Sequence, residues 1–267
     1  MLTRKEEKRM NFRPCIDVHN GKVKQIVGSS LKDEGNVAKE NFVSEKNADY
    51  YARLYKENEL YGGHIILLNA VDSEYYEETK KQAFLALSEF EGGMQIGGGI
   101  TAENANEFIE AGASHVIVTS YVFKDGKINY ENLEKISKAV GKERLVLDVS
   151  CRKKDDKYFV VTDRWQKFTE EEVTKELFEK LAKNCDEFLV HAVDVEGKNA
   201  GIDKELVEIL GKADDVKITY AGGIRSIDDI ERLRAYGNDK LDFTIGSALD
   251  IFGGDLVFKK IVDWCKK

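Results

Sequence analysis

Eight short apolar runs rich in Val, Ile and Leu recur along the chain, and between them lie longer amphipathic stretches. The runs are Phe12 to Val18, His64 to Asn69, Met94 to Gly97, His115 to Thr119, Leu145 to Val149, Phe188 to Val193, Val216 to Ala221 and Leu241 to Ile245. Several are apolar almost throughout rather than alternating, which marks strands covered on both faces. Helical spacing fills the intervals at Ser44 to Leu60, Glu74 to Glu89, Ala102 to Ala111, Asn129 to Val140, Thr169 to Lys183, Asp203 to Leu210, Ile227 to Ala235 and Leu256 to Lys266. Thr169 ahead of Glu170 to Glu172, and Ser226 ahead of Asp228 and Asp229, read as helix N-caps with acidic first turns. Strand and helix in alternation make a parallel sheet. Eight such units in roughly 250 residues close that sheet into a (β/α)8 TIM barrel rather than leave it open.

An internal repeat supports closure. The stretch IGGGITAENANEFIEAGASHVIVTSYVF resembles YAGGIRSIDDIERLRAYGNDKLDFTIGSALDIF, and CIDVHNGKV resembles VLDVSCRKK, so the barrel is expected to consist of two related halves. Residues 1–11 read as a charged lead-in and 12–267 as one barrel domain. The lead-in has no apolar stretch after its charges and is not a secretory signal. No run of about 18 apolar residues is present, which leaves no membrane span. The net charge of −8, without a basic stripe interleaved with aromatics, argues against nucleic acid as partner. Cys15, Cys151, Cys185 and Cys265 show neither C-x-x-C nor His at ligand spacing, so no metal site or disulfide framework is expected, and a reducing cytoplasm fits best.

In a barrel of this kind the strand C-termini and the loops after them form the active face. Asp17 ends the first strand and Asp148 the fifth, at equivalent positions of the two halves, and a pair of carboxylates facing across the mouth suits general acid–base work. Small residues form a second constellation: Gly97, Gly98 and Gly99, then Thr119 and Ser120, answered by Gly222 and Gly223, then Gly246 and Ser247. Glycines let a backbone approach an anion closely and helix N-termini point amide groups at it, so two such loop pairs predict two phosphate sites, which the negative net charge does not forbid. Trp165 lies in a long excursion after the fifth strand near Arg152, Lys153, Lys154 and Arg164; it either stacks on a planar substrate group or anchors the loop. His191 ends the sixth strand, where an imidazole can exchange hydrogen bonds with a substrate. His19, His64 and His115 are expected to be structural, the last two because they begin strands.

The segments CIDVHNGKVKQIVGSSL, QIGGGI, VIVTSYVF, LVLDVSCRKK, FLVHAVDVEGKNAGID, YAGGIRSIDDI and IGSALDIFGG, in this order from Phe12 onward, resemble the ProFAR isomerase family of histidine biosynthesis, in the variant typical of eukaryotes such as fungi. The resemblance implies a half-barrel-duplicated fold and a small-molecule substrate with a phosphate at each end. It also implies an Amadori-type aldose to ketose rearrangement without a cofactor, in a monomer needing no protein partner. It gives Asp17 the role of general base, Asp148 that of general acid and Trp165 that of the loop residue that stacks on the substrate. Gly98, Gly99, Thr119 and Ser120 form one implied phosphate site, and Gly222, Gly223, Gly246 and Ser247 the other. The chain departs from bacterial members in carrying His191 for the more usual Thr, and Glu196-Gly197 for Asp-Gly. Two other functions compete: the cyclase of the same pathway, which works with a glutaminase partner, and a non-catalytic phosphosugar-binding barrel. The segments HNGKVKQIVG and LVHAVDVEG fit the isomerase better than the cyclase, and retention of both aspartates argues against a barrel without turnover.

Overall fold

The computed structural model describes residues 10–26, 40–162, 165–196, 198 and 200–266. The segment Thr3 to Arg9, Arg164 and Gly197 lie outside the described residues. Eight parallel strands form the central sheet: β1 (Cys15–His19), β2 (Gly63–Leu67), β3 (Met94–Gly97), β4 (His115–Val118), β5 (Leu145–Asp148), β6 (Glu187–His191), β7 (Lys217–Ala221) and β8 (Leu241–Thr244). Each pairs with its neighbour in chain order. The sheet closes where Phe12 bridges Phe243 in parallel register, with Arg13 N donating to Phe243 O at 2.8 Å and Phe243 N to Asn11 O at 3.0 Å. Phe12 also stacks on Phe243 with ring centroids 5.5 Å apart, a contact worth about 0.5–1.5 kcal/mol beyond the area it buries. The fold is therefore the closed (β/α)8 barrel that the alternation implied.

Helices α1 (Ala48–Glu57), α2 (Tyr76–Glu89), α3 (Ala105–Glu110), α4 (Tyr130–Val140), α5 (Lys175–Leu181), α6 (Lys204–Leu210), α7 (Ile227–Tyr236) and α8 (Phe258–Cys265) cover the outside. Their buried positions follow the helical period. On α1 these are Ala48, Tyr51, Ala52 and Tyr55, and the Tyr55 hydroxyl donates to Cys15 O at 2.9 Å, fastening the helix to β1. Ser226 caps α7 as expected, accepting from Asp229 N.

The fifth unit departs from expectation. Thr169 is not an N-cap: Lys167–Glu172 is a strand, paired antiparallel with Lys157–Thr162, which pairs in turn with Cys151–Lys154. The Thr169 side chain is buried and donates to Val160 O, and α5 starts six residues later with Thr174 as its cap. The acidic run EEE that suggested a helix start has Glu170 exposed at the edge of the ribbon, facing Lys127, and Glu172 on Lys157, so pairing with KYFVVT outweighed helix propensity. Helix α1 likewise starts at Ala48 rather than Ser44, whose hydroxyl closes a turn with Lys46.

A matching ribbon follows β1. Asn20 and Gly21, with φ of 50° and 70°, form the left-handed turn that suits a two-residue hairpin. The chain therefore doubles back as the strand Lys22–Ile26, which Glu40–Val43 extends. Both halves of the barrel thus carry an antiparallel ribbon after their first strand, and these ribbons overhang the active face.

Side-chain alternation sorts the strands. Ile16, Val18, Phe188 and Val190 point outward to the helix layer, whereas Ile117, Val146, Leu189 and Ala221 fill the middle of the barrel with Ile66. The lower end is sealed by charge. Arg13 holds Glu187 at 2.9 Å and Asp242 at 2.7 Å, and Gln95 donates to Glu187 at 2.7 Å. Among the described residues no helix is long and apolar enough to cross a membrane.

Candidate active site

Two recesses differ in chemistry. The larger, about 510 Å³, opens at the lower end beside Arg13, His115 and Glu187. His115, Asp186 and Glu187 bring ligand atoms within 4.8 Å of one another there, but Lys217 already holds Asp186 and Arg13 holds Glu187. Both carboxylates therefore already have a cationic partner. The smaller, about 60 Å³, lies at the upper end between β1, β6, β7 and β8 and is lined by Asp17, His191, Gly222, Gly223, Gly246 and Ser247 from the sequence-predicted set. That volume is far below the roughly 300 Å³ of an ordinary ligand pocket, so the recess by itself holds only a small part of a ligand.

Nine further residues line it, among them Cys15, Gln25, His64 and Glu196, none of which the sequence placed in the site. His64 was expected at the stability end. It lies instead against the site, its ring 6.4 Å from that of His191 and nearly perpendicular to it, because β1 and β2 are staggered and Cys15, not Phe12, is its partner in register. Burial and the His191 charge push its pKa down to about 3, so it is a neutral wall.

Asp148, Thr119 and Trp165 stand beside this cavity. His191 Nδ1 is 3.2 Å from Asp148 Oδ1, with both side chains about 15% exposed (15% and 14%). Ser150 Oγ donates to the same oxygen at 2.8 Å, and the Thr119 hydroxyl hydrogen-bonds the carboxylate as well. The Trp165 ring lies 5.7 Å from that of His191, carried there by the ribbon after β5 with its backbone at φ 68°. His191 is thus the hub of the site.

The electrostatics separate the two aspartates. Burial pushes Asp17 up to about 7, with Glu196 adding to the rise and with His191 and Gln25 opposing it. Asp148 is equally removed from water, yet the His191 charge and the hydrogen bonds from His191, Ser150 and Thr119 outweigh burial and hold it below its ordinary value. Burial works against a charged His191, but Asp148, Glu196 and Asp17 raise it to about 9. Burial also raises Glu196. At neutral pH the site therefore holds an ionised Asp148, a cationic His191 and an Asp17 poised to give or take a proton.

The glycines have structural work of their own. Gly98, at φ 100°, lies where a Cβ would sit 2.1 Å from Leu67 O, and Gly222, at φ 130°, where a Cβ would sit 3.0 Å from Ala192 O. In each half the loop after the third strand tucks over the end of the second, which only glycine permits. Gly99 lies beside Val71, and Ser120 is exposed at the end of β4. These two loop pairs occupy corresponding places on opposite sides of the mouth.

The histidine biosynthesis protein family model matches residues 12–256. The chain is 55% identical over 260 residues to a chloroplastic 1-(5-phosphoribosyl)-5-((5-phosphoribosylamino)methylideneamino)imidazole-4-carboxamide isomerase of Medicago truncatula, covering 96% of this chain and 81% of that one. It is 47% identical to the isomerase of the same name from Yarrowia lipolytica, over 96% and 98% of the two chains, and 43% identical to that of Saccharomyces cerevisiae, over 96% and 97%. With a match that runs from the closing bridge at Phe12 to the loop beyond β8, this chain belongs to the histidine biosynthesis protein family.

Proposed function

We propose that this protein is the aldose–ketose isomerase its relatives are named for, carrying out an Amadori rearrangement without a cofactor. The relatives' name describes an imidazole carboxamide bearing two phosphoribosyl groups, hence two phosphates far apart. One phosphate is assigned to Gly222, Gly223, Gly246 and Ser247 in the upper recess, the other to Gly98, Gly99, Thr119 and Ser120 across the mouth. Anchoring both ends holds the reacting sugar carbons between Asp17 and the Asp148–His191 pair, a gain from proximity that adds to acid–base catalysis. In this reading Trp165 covers the planar imidazole, which its ring contact with His191 at 5.7 Å supports.

In the first step the sugar ring oxygen takes a proton from the Asp148–His191 pair and the ring opens to an iminium. The proton rests on His191 beforehand, so Asp148 acts with the imidazole rather than as a lone carboxylic acid. Asp17 then removes the proton from C2, and the electron pair forms an enolamine. Protonation at C1 with loss of the C2 hydroxyl proton gives the aminoketose, of the same composition as the aldose. The observation that carries this reading is the geometry: Asp17 and His191 line one cavity, and His191 meets Asp148 at 3.2 Å. Two half-buried aspartates thus stand in different surroundings, one beside a histidine that can pair with it and one, among the described residues, without such a partner.

The test is direct. Purified protein incubated with the aminoaldose should release the ketose, with Asp17→Asn and Asp148→Asn each lowering kcat by two or more orders of magnitude. Near-full turnover in both variants would overturn the mechanism. Conversion of the ketose by added ammonia instead would make the chain a cyclase. A cytoplasmic monomer belongs to the same reading, and light scattering of the purified chain tests the second part.

A further inference from the structure

The ribbon after β1 does more than overhang the active face. Its turn at Asn20 and Gly21 pairs Lys22 with His19 and Val23 with Val18, and the chain running back along β1 brings the buried Gln25 side chain to Asp17. Gln25 Nε2 donates to Asp17 Oδ2 at 3.2 Å and lies 3.8 Å from Cys15 Sγ. Its Oε1 fills the space beside Gly246: a Cβ on that glycine would sit 2.4 Å from it. The carboxamide therefore lies across the upper recess, from the strand-one aspartate to the loop after β8.

We propose that Gln25 is a positioning residue for Asp17: its neutral carboxamide fixes one carboxylate oxygen, leaves the other for the substrate, and adds no charge that would weaken the base. Gly246 then serves the base as well as the phosphate loop, since any side chain there displaces Gln25. The inference rests on Asp17 being the base in the reaction proposed above.

Neutrality matters because the other groups bearing on Asp17 do not cancel: burial outweighs His191 and leaves the carboxyl raised to about 7, the proton affinity that suits a base at neutral pH. His191 from β6 lowers its proton affinity, while Glu196 beyond β6 and burial raise it. Cys15 on β1, Tyr55 on α1 and His64 on β2 are neutral neighbours, and Asp148 on β5 is neutralised by His191. A cation in the place of Gln25 would pull Asp17 toward an ordinary carboxylate, ionised over a wider range but a poorer base.

The experiment measures kcat and KM across pH for the full chain carrying Gln25→Met or Gln25→Lys, beside Asp17→Asn. Gln25→Met removes the hydrogen bond at nearly constant volume. It should lower kcat about tenfold, leave KM within about twofold, and move the acid limb of kcat/KM upward. Gln25→Lys should move that limb downward by about one pH unit. Gly246→Ala should act on the limb as Gln25→Met does. Should either Gln25 variant fail to fold, the near-isosteric Gln25→Glu replaces it, with an upward move expected from the added negative charge. If Asp17→Asn is dead while the limb stays at its wild-type position in every Gln25 variant, the positioning role is refuted and the role of Asp17 stands. If Asp17→Asn retains turnover, the reading of the base itself has failed.

Discussion

Replacing His191 with Gln separates the acid–base scheme from a site that merely binds. In the wild-type protein His191 faces Asp148 at 3.2 Å and is raised to about 9, while Asp17 is raised to about 7. With Asp17 required ionised and His191 required protonated, kcat/KM should be bell-shaped, with apparent limbs near 7 and 9 that belong to the coupled cluster. One pH unit outside either limb, activity should fall about tenfold. In His191→Gln the side-chain amide still donates a hydrogen bond to Asp148 but has no titrating proton. The alkaline limb should vanish. The acid limb should rise above 7, because the His191 charge is what holds Asp17 down against burial and Glu196. Losing the proton that the pair gives to the ring oxygen removes general acid catalysis, a roughly 100- to 10,000-fold drop in the pH-independent kcat/KM. Initial rates of ketose formation at low substrate, from pH 5.5 to 10.5, read all three quantities. A variant that keeps an alkaline limb near 9, or whose acid limb moves down, would refute the reasoning.

Three stability predictions follow from the same geometry. Asp17 takes up its proton near pH 7 in the fold but near its ordinary 3.8 in the unfolded chain, so stability declines as pH rises through that window; at about 1.4 kcal/mol per pH unit the strain reaches on the order of 4 kcal/mol at pH 8. Asp17→Asn should therefore be inactive yet unfold at higher urea than the wild type at pH 8, and an equal or lower midpoint would sink the idea. Arg13→Met leaves Glu187 and Asp242 without their shared cation at the barrel closure, and a loss of about 3–5 kcal/mol is expected in urea unfolding at pH 7; less than about 1 kcal/mol would mean that Gln95 and Asn11 suffice. Gly98→Ala drives a Cβ against Leu67 O at a positive φ, so circular-dichroism melts should show a loss of at least about 2 kcal/mol, and an unchanged melting temperature would contradict the tight packing of that loop.

What was legible in the chain was whatever repeats or alternates. Eight apolar runs gave eight strands because a parallel strand buried on both faces leaves a local signature, and Asp17 and Asp148 stood out as carboxylates within two corresponding runs. Asp148 does end β5, whereas β1 runs on past Asp17 through Val18 and His19 into the hairpin. The ribbon of Lys157–Thr162 and Lys167–Glu172 was misread as partly helical, since an acidic triplet behind a threonine looks the same before a helix as on a strand edge. The hairpin after β1 did have a signal, the Asn20-Gly21 pair, and reading it would have brought Gln25 back to Asp17.

The order of elements, the duplication and the two strand carboxylates were thus determined by the sequence, because they are local or periodic. The tertiary structure alone decided that His64 is a neutral wall of the site, that His191 and Asp148 form an ion pair, and that Glu196 and burial lift Asp17 to about 7. Each of these depends on groups far apart in the chain meeting out of water, where an interaction hidden in the sequence becomes strong enough to set which carboxyl holds the proton.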